Sequence, residues 1–369
     1  MIKHAELDER SWRPPVTWTM QAIAREVGVS TKTVSRVVNG EPGVRDSTRF
    51  RVSQFIENVG YHPHLGARSM RSQTRDCIGC TIPAPMSDVP LREEFFVRLF
   101  SHLYRIFGSR GKFICFDLNP FYGKSNGDYS RGLFEGRFAG CVLCGPLRPD
   151  DTTIHRIHSS GFPYLALGRA DGLPDCSSAT VDYELAMRMS VEYLVARGHT
   201  RIGVLKGFHG YQPGEERRRG YLQAYAAAGL DVDETLIQCP TFLSDSLISS
   251  VHRLLIDPTV TAFIDSSGAE NAAAIREGCH RAGRDPGKNV EIVAWTYSER
   301  AAILREASAH VWLPVWESAT DGLERLADWF DGETDGPIHI LYPPTISDTS
   351  LLPEITSPVR LFEAEPPQE

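Results

Sequence analysis

TMQAIAREVGVSTKTVSRVVNGEPGVRDSTRFRVSQFIENVGY, residues 19–61, is the stretch from which the rest of this chain is read. Its punctuation predicts three short helices. Thr19 is placed to cap a first helix in which Ile23, Ala24 and Val27 share one face, and Gly28 supplies the tight turn after it. Ser30 caps a second helix over 31–38, with Val34, Val37 and Val38 turned inward. The turn-rich run Asn39-Gly40-Glu41-Pro42-Gly43 leads to a third helix. There Val52, Phe55, Ile56 and Val59 fall at i, i+3, i+4, i+7, and Gly60 ends it. Helix, glycine turn, helix is the geometry that lays a second helix in the major groove of DNA. Alone it is a weak signal, because structural three-helix bundles produce the same pattern.

Charge is unevenly spread around that stretch. Residues 1–75 carry 12 Lys and Arg against 7 Asp and Glu, whereas the remainder carries 27 against 40, giving the net −8. A basic end on an acidic body suits a polyanionic partner engaged by one end only. A length of 369 residues exceeds one small core and implies two or three domains. With 41% hydrophobic and 23% charged residues, the composition is that of an ordinary globular protein. No run of eighteen apolar residues exists, so no membrane span is expected. Residues 1–15 mix charges of both signs without an apolar core, so they are not read as a signal peptide, and a cytoplasmic address follows by elimination.

Beyond Arg75 the pattern alternates strand with helix. Apolar runs at 77–83, 113–117, 141–144, 164–167, 202–205, 261–265 and 291–295 read as buried strands. Segments 93–108, 183–197, 215–228 and 269–282 read as amphipathic helices, and Gly111, Gly198, Gly229 and Gly283 close helical segments. Near-continuous apolar strands between helices imply parallel sheets covered on both faces. The run is long enough for two such units, starting near 75 and near 181. The fold class is therefore an all-α helix-turn-helix headpiece followed by an α/β body of two Rossmann-like, parallel-sheet subdomains.

The wording of the sequence matches a family as well. Ala24-Arg25-Glu26-Val27-Gly28-Val29-Ser30, Thr33-Val34-Ser35-Arg36-Val37-Val38-Asn39-Gly40, Thr48-Arg49 and Gly60-Tyr61-His62-Pro63 resemble the headpiece of the lactose/galactose-repressor (LacI/GalR) family. Arg137-Phe138-Ala139-Gly140, Val181-Asp182-Tyr183, Arg197-Gly198-His199-Thr200-Arg201-Ile202, Arg217-Arg218-Arg219-Gly220-Tyr221 and Thr261-Ala262-Phe263-Ile264 extend the resemblance to that family's body, which looks like a type I periplasmic sugar-binding protein. It spans roughly residues 16–350. The domain plan it implies is a loose tail over 1–15, a headpiece over 16–62 and a hinge over 63–74. An N-subdomain follows over 75–180 and 312–335, a C-subdomain over 181–311 and 336–355, and a flexible tail over 356–369. The three crossings between subdomains are expected near Thr180, at 309–313 and at 332–337. The function implied is a transcriptional regulator, a repressor, that binds a pseudo-palindromic double-stranded DNA operator as a homodimer. Pro353, Pro358, Pro366 and Pro367 near the C-terminus, without apolar heptads, argue against a tetramerising coiled coil.

In a headpiece of this kind the start of the second helix faces base edges, here Thr31, Lys32 and Arg36. Lys and Arg donate to guanine, and a Thr methyl suits thymine. Thr19, Ser30, Thr33, Ser35, Asn39 and Tyr61 are the short donors expected at phosphates. The resemblance also implies a hinge helix after Pro63, with Ala67 and Met70 at the DNA and Met70 the apolar wedge that kinks it. So short a helix is marginal alone, and Gly66 weakens it by about 1 kcal/mol, so it should order only when two copies pack together on DNA. The chain departs from the family at His64, where Asn is usual, which alters one hinge contact. It departs again at Arg45, where a capping Ser is usual, leaving Asp46 or Ser47 to cap the third helix late.

The effector-binding residues implied are Arg217, Phe242, Ser267, Trp295 and Tyr297. Arg217 stands where the family grips ligand with Arg, and Phe242 where an aromatic stacks on it. The family's Asn-Asp after one strand is Ser267-Gly268 here, and its Asp-Asp after a later strand is Thr296-Tyr297, beside Trp295. Carboxylates accept from sugar hydroxyls. Their loss points away from an ordinary sugar, toward a more aromatic or anionic ligand or toward a body that mainly dimerises.

Other motifs are set aside. Cys77-x-x-Cys80 and Cys141-x-x-Cys144 mimic a zinc or redox signature, but both lie in predicted strands, where residues i and i+3 face opposite ways. They are read as buried thiols. Gly123-Lys124-Ser125 lacks the earlier glycine of a phosphate loop, and neither G-x-G-x-x-G nor G-x-S-x-G occurs. No catalytic residues, metal or cofactor are expected. A DNA-binding regulator of this shape controlled by a protein partner, or by nothing, stays open. A solute receptor or an enzyme on the α/β body is disfavoured by the missing motifs.

Overall fold

In the computed structural model, which describes residues 18–59, 61, 77–84, 93–117, 128–241, 243–267, 271–297 and 306–349, the N-terminal stretch folds as its caps dictate. Helices α1 (Met20–Val27), α2 (Thr31–Val38) and α3 (Asp46–Asn58) surround one small core. Thr19 Oγ1 accepts the Ala22 N–H at 3.1 Å, and Ser30 Oγ accepts the Thr33 N–H at 3.1 Å. Between them Gly28 takes φ 70°, the left-handed geometry in which a side chain is strained. Ile23, Ala24, Val34, Val37, Val52 and Tyr61 are buried, with Val27, Val38, Phe55, Ile56 and Val59 half-buried around them. Helix α3 differs from expectation at its start. Arg45 is the cap residue and makes no side-chain cap bond, and neither Asp46 nor Ser47 takes its place. Asp46 instead opens the helix, where its charge opposes the helix dipole.

The chain divides into two compact units, 1–75 and 76–369. The second holds two six-stranded sheets. The first contains β1 (Cys77–Thr81), β2 (Phe113–Asp117), β3 (Gly140–Leu143), β4 (Tyr164–Ala166), β5 (Ser178–Val181) and β11 (His339–Tyr342), in the order β11-β5-β4-β3-β1-β2. The second contains β6 (Ile202–Leu205), β7 (Ile237–Gln238), β8 (Ala262–Asp265), β9 (Glu291–Thr296), β10 (Ala309–Trp312) and β12 (Thr345–Asp348), in the order β12-β10-β9-β8-β6-β7. Pairing is parallel except between β10 and β12. The central strands β3, β4, β6 and β8 are buried along their whole length, which is why they read as unbroken apolar runs.

Helices close both faces. On the first sheet lie α4 (Glu93–Leu103), which runs into a π turn over Tyr104–Gly108, the short α5 (Arg131–Phe134) and α6 (Thr152–Ser159). On the second lie α7 (Tyr183–Ala196), α8 (Gln212–Ala227), α9 (Ser244–Leu255) and α10 (Ala272–Arg281). Helix α11 (Val315–Asp331) returns to the first sheet and buries Trp316, Ala319, Leu323, Leu326 and Ala327 there. Thus the chain passes between sheets after β5, after β10 and after β11. The third passage falls at Pro343-Pro344 and not at 332–337, and residues 339–342 belong to the first sheet rather than the C-subdomain. Ile338 and Ile340 are buried in the core beneath α11, and Ile340 pairs with Ala179 of β5, so the first sheet holds this strand until the prolines.

Cysteines Cys80, Cys141 and Cys144 are buried and Cys77 is half-buried, all as free thiols. Cys80 Sγ lies 3.4 Å from Sγ of Cys144, just past the end of the neighbouring strand, so the close approach runs across the sheet and not along a C-x-x-C pair. No helix among the described residues is long and apolar enough to cross a membrane.

Candidate DNA-binding face and interdomain pocket

Helix α2 shows its first turn to solvent. Thr31 and Lys32 are exposed, and Arg36 one turn later is held only loosely, its Nε 4.0 Å from Glu41 Oε2 with side chains 40% and 52% exposed. An exposed pair at that distance contributes little, so Arg36 is available to another partner. Ser30 and Thr33 hydroxyls lie 2.8 Å apart, and Asn39 Nδ2 donates to Ser35 Oγ at 3.4 Å. Thr19 and Ser30 use their oxygens as caps; the Thr19 hydroxyl proton is left to donate outward, while the Ser30 and Thr33 hydroxyls share one proton between them and keep the other to donate. Tyr61 differs from the other expected phosphate donors: it is a core residue, 9% exposed. Ala67, Met70 and Phe242 lie outside the described residues.

The body has a cavity of about 160 Å³ between its two sheets. It opens at the carboxyl ends of the strands, the place where parallel α/β sheets bind ligands. Gly145 follows β3, Gly168 follows β4, Phe208 follows β6, Ser266 and Ser267 follow β8, and Tyr297 follows β9. Phe95 and Phe96 of α4 and Trp316 of α11 complete the wall on the first-sheet side.

Arg217 is the one charged side chain among the described lining residues. It sits one turn before Gly220, where a Cβ would come 2.3 Å from the Glu184 carbonyl, so α7 and α8 touch backbone to backbone there. That contact seats the middle of α8, one turn beyond Arg217, against α7. The guanidinium carbon stands 4.9 Å from the Phe208 ring centre, 5.1 Å from Trp295 and 5.2 Å from Tyr183. Nη1 donates to the Lys206 carbonyl at 2.7 Å, while Nε is buried with no hydrogen-bond partner. Burial pulls its pKa down to about 10, so it is still a cation at neutral pH, stabilised by ring faces rather than by an ion pair. Phe208 holds its ring there at φ 51°, a strained geometry for a side chain of that size.

The expected effector residues Arg217, Ser267, Trp295 and Tyr297 thus come together on one cavity. Two of them are partly occupied: Trp295 Nε1 donates to Ser190 Oγ at 2.9 Å, and Ser267 Oγ donates to the Asp265 carboxylate. Sequence reasoning missed Phe95, Phe96, Tyr183, Phe208 and Trp316. For Phe208 a signal existed, an aromatic between Gly207 and Gly210 directly after an apolar strand. The other four sit in ordinary helix positions and carried none.

One flank of the cavity is tied across the two halves. Arg169, beyond β4, meets the buried Glu216 of α8 at 2.5 Å, and Gln212 Nε2 donates to Glu216 at 3.0 Å. Arg219 reaches Asp171 at 2.6 Å, and the Gln212 N–H donates to the Leu147 carbonyl at 2.8 Å. Burial raises the Glu216 pKa despite the attraction of Arg169.

A helix-turn-helix headpiece joined to a body with a ligand-sized cavity between two parallel sheets defines a class, the DNA-binding regulators with a periplasmic-binding-like body. The chain belongs to the lacI family of bacterial regulatory proteins, whose model matches residues 19–64, and a periplasmic binding protein-like domain matches residues 191–348. It is 32% identical over 261 residues to the transcriptional regulator RafR of Escherichia coli, covering 70% of this chain and 75% of that one. A solved complex of the transcriptional regulator CelR with cellobiose has 25% identity and a TM-score of 0.62, over 91% of this chain and 98% of that chain. The lac repressor dimer bound to operator and an anti-inducer shares the fold, with 19% identity and a TM-score of 0.72, over 91% and 99%.

Proposed function

We propose that this regulator is a cytoplasmic repressor that binds a pseudo-palindromic operator as a homodimer and answers to a small molecule held between its two sheets. The observation that carries the reading is the cavity, walled by strand ends of both sheets and tied on one flank by Arg169, Asp171, Gln212 and Glu216. A molecule inside touches both halves, so it binds one arrangement of them better than another, and that difference is what a ligand needs to shift an equilibrium. The shift reaches the DNA through residues 63–74, where Ala67 and Met70 meet the minor groove. Thr31, Lys32 and Arg36 read bases, while Thr19, Ser30, Thr33, Ser35 and Asn39 hold phosphates and Tyr61 supports them from the core. The dimeric lac repressor structure supports the assembly, and the RafR relative supports the regulatory role.

The test begins by selecting bound fragments from a genomic library and measuring affinity by fluorescence anisotropy. Replacing Arg36 by Ala should flatten the preference at one or two base pairs by about 1–3 kcal/mol while the melting temperature stays put. An unchanged sequence profile would refute its role. Met70→Ala should weaken the selected operator but leave random DNA binding nearly intact, because a wedge acts only in the bent complex.

A further inference from the structure

What the cavity lacks defines what its occupant brings. Two residues of its lining, Arg217 and Trp316, each carry a buried N–H, Nε and Nε1, that has no hydrogen-bond partner. Each N–H calls for an acceptor, and buried groups left this way are uncommon. Acceptors are scarce around them. Neither Asp, Glu, Asn nor Gln lines the cavity among the described residues, and Ser266 Oγ already donates to the Leu205 carbonyl at 2.7 Å. A sugar hydroxyl must place its own proton as well as accept one, and among the described lining residues no carboxylate or amide oxygen is there to take it. The remaining surface is mostly ring and aliphatic, with Phe95, Phe96, Phe208 and Tyr183 among the rings. A volume of about 160 Å³ is small beside the ~300–1,000 Å³ of drug-sized sites, and suits one ring better than two.

Resting on the effector reading above, we propose that the ligand is a small aromatic monocarboxylate, its carboxylate against Arg217 and its ring among the aromatic side chains. One buried cation calls for one negative charge; a phosphate dianion would bury a charge in excess. A second acceptor, the other carboxylate oxygen or a ring hydroxyl, answers Trp316 Nε1. Benzoate, phenylacetate and 4-hydroxybenzoate are probes of this class, and benzamide and benzyl alcohol are their neutral counterparts.

The experiment uses the full chain, reading melting temperature and calorimetric titration with each probe at up to about 5 mM, beside glucose, galactose and cellobiose. At least one acid should raise the melting temperature and bind about thirty-fold or more tighter than its neutral counterpart, the ratio a charge-assisted hydrogen bond supplies. Arg217→Gln should abolish that discrimination. Trp316→Phe, which keeps the ring and removes the N–H, should weaken the acid several-fold. Selected-operator binding by each variant shows that the chain still folds. Stabilisation by a sugar and not by the acids, or equal binding of acid and amide, overturns the ligand class and leaves effector control standing. If neither acids nor sugars act while operator binding is intact, the ligand class and effector control fall together.

Discussion

Arg217 is a charge held where charge is costly, and this makes it the most informative single residue of the body. Among the described residues its partners are three ring faces and one carbonyl, with no carboxylate in ion-pair contact. The residue should therefore weaken the unliganded protein. Arg217→Met, which keeps an unbranched stem and removes the charge, is expected to raise stability to urea by about 1 kcal/mol or more. The Lys206 carbonyl it abandons keeps a contact from Ser266 Oγ at 3.4 Å. The sign in pH is also fixed. A cation whose pKa is lowered to about 10 destabilises the fold fully below that value, and the penalty fades only as pH rises past it. The variant's gain should accordingly be constant from pH 6 to pH 8; equal or lower stability of the variant refutes the argument. Arg217 was legible in the sequence because it stands three residues before Gly220, in a motif that resembles the family's. The rings that embrace it were not. Tyr183, Phe208 and Trp295 arrive from three separate segments, and only the folded sheets bring them within about 5 Å of one cation.

At the scale of the element, α2 is short enough that its start decides its stability. Eight residues give a marginal helix, so a cap is a large share of what holds it. Ser30→Ala removes the acceptor of the Thr33 N–H and should cost about 1 kcal/mol. In the full chain, amide exchange at 33 and 34 should quicken several-fold while the body's melting temperature is unmoved. Loss of protection across all three helices, or none at all, would show the cap to be misjudged. Such helices were legible because caps, turns and apolar spacing agree at every position. The central strands were legible as apolar runs for a related reason, burial on both faces. Elements at the margins were not. Strand β7 has two residues, and β12, Thr-Ile-Ser-Asp, has one apolar side chain. The π turn after α4 adds one residue per turn without changing the apolar spacing enough to be seen.

For the whole molecule, the question is what holds the two halves of the body in one arrangement and, in the proposed homodimer, what would hold two copies together. The first answer involves Glu216. Its carboxyl is raised by burial, so between the ordinary carboxylate range and its own value the native state keeps a proton that the unfolded chain has lost. Its contribution to stability therefore falls as pH rises through that window, starting from about pH 4. Glu216→Gln should remove that component of the slope, measured by urea unfolding from pH 4 to pH 7; an identical slope would place the raised group elsewhere. The halves themselves were legible as two parallel sheets, yet the third passage was misplaced by about seven residues. The error has a physical origin. The alternation of Ile338 and Ile340 marks a strand but not the sheet it joins, and only their burial under α11 decides that.

For the homodimer proposed above, the face to test lies on the outside of the first sheet. Val97, Phe100 and Tyr104, spaced along one face of α4 and its π turn, are 45%, 55% and 69% exposed, and Phe113 and Phe116 on the edge strand β2 are 62% and 38% exposed. Exposed rings along one helix face are what an interface covers, and in the proposed symmetric dimer that face of α4 would be buried on both copies. Replacing Phe100 and Tyr104 together by Asp sets four like charges into that interface without touching the core, since both side chains point to solvent in the single chain. Sedimentation velocity should then show a monomer whose melting temperature is lowered in keeping with the lost partner, and whose affinity for a full operator falls to that for a half-site. A double variant that still sediments as a dimer would move the interface to another face of the body. The operator arm separates the remaining case: a monomer that keeps full-operator affinity would mean that the two headpieces do not depend on the body for their pairing.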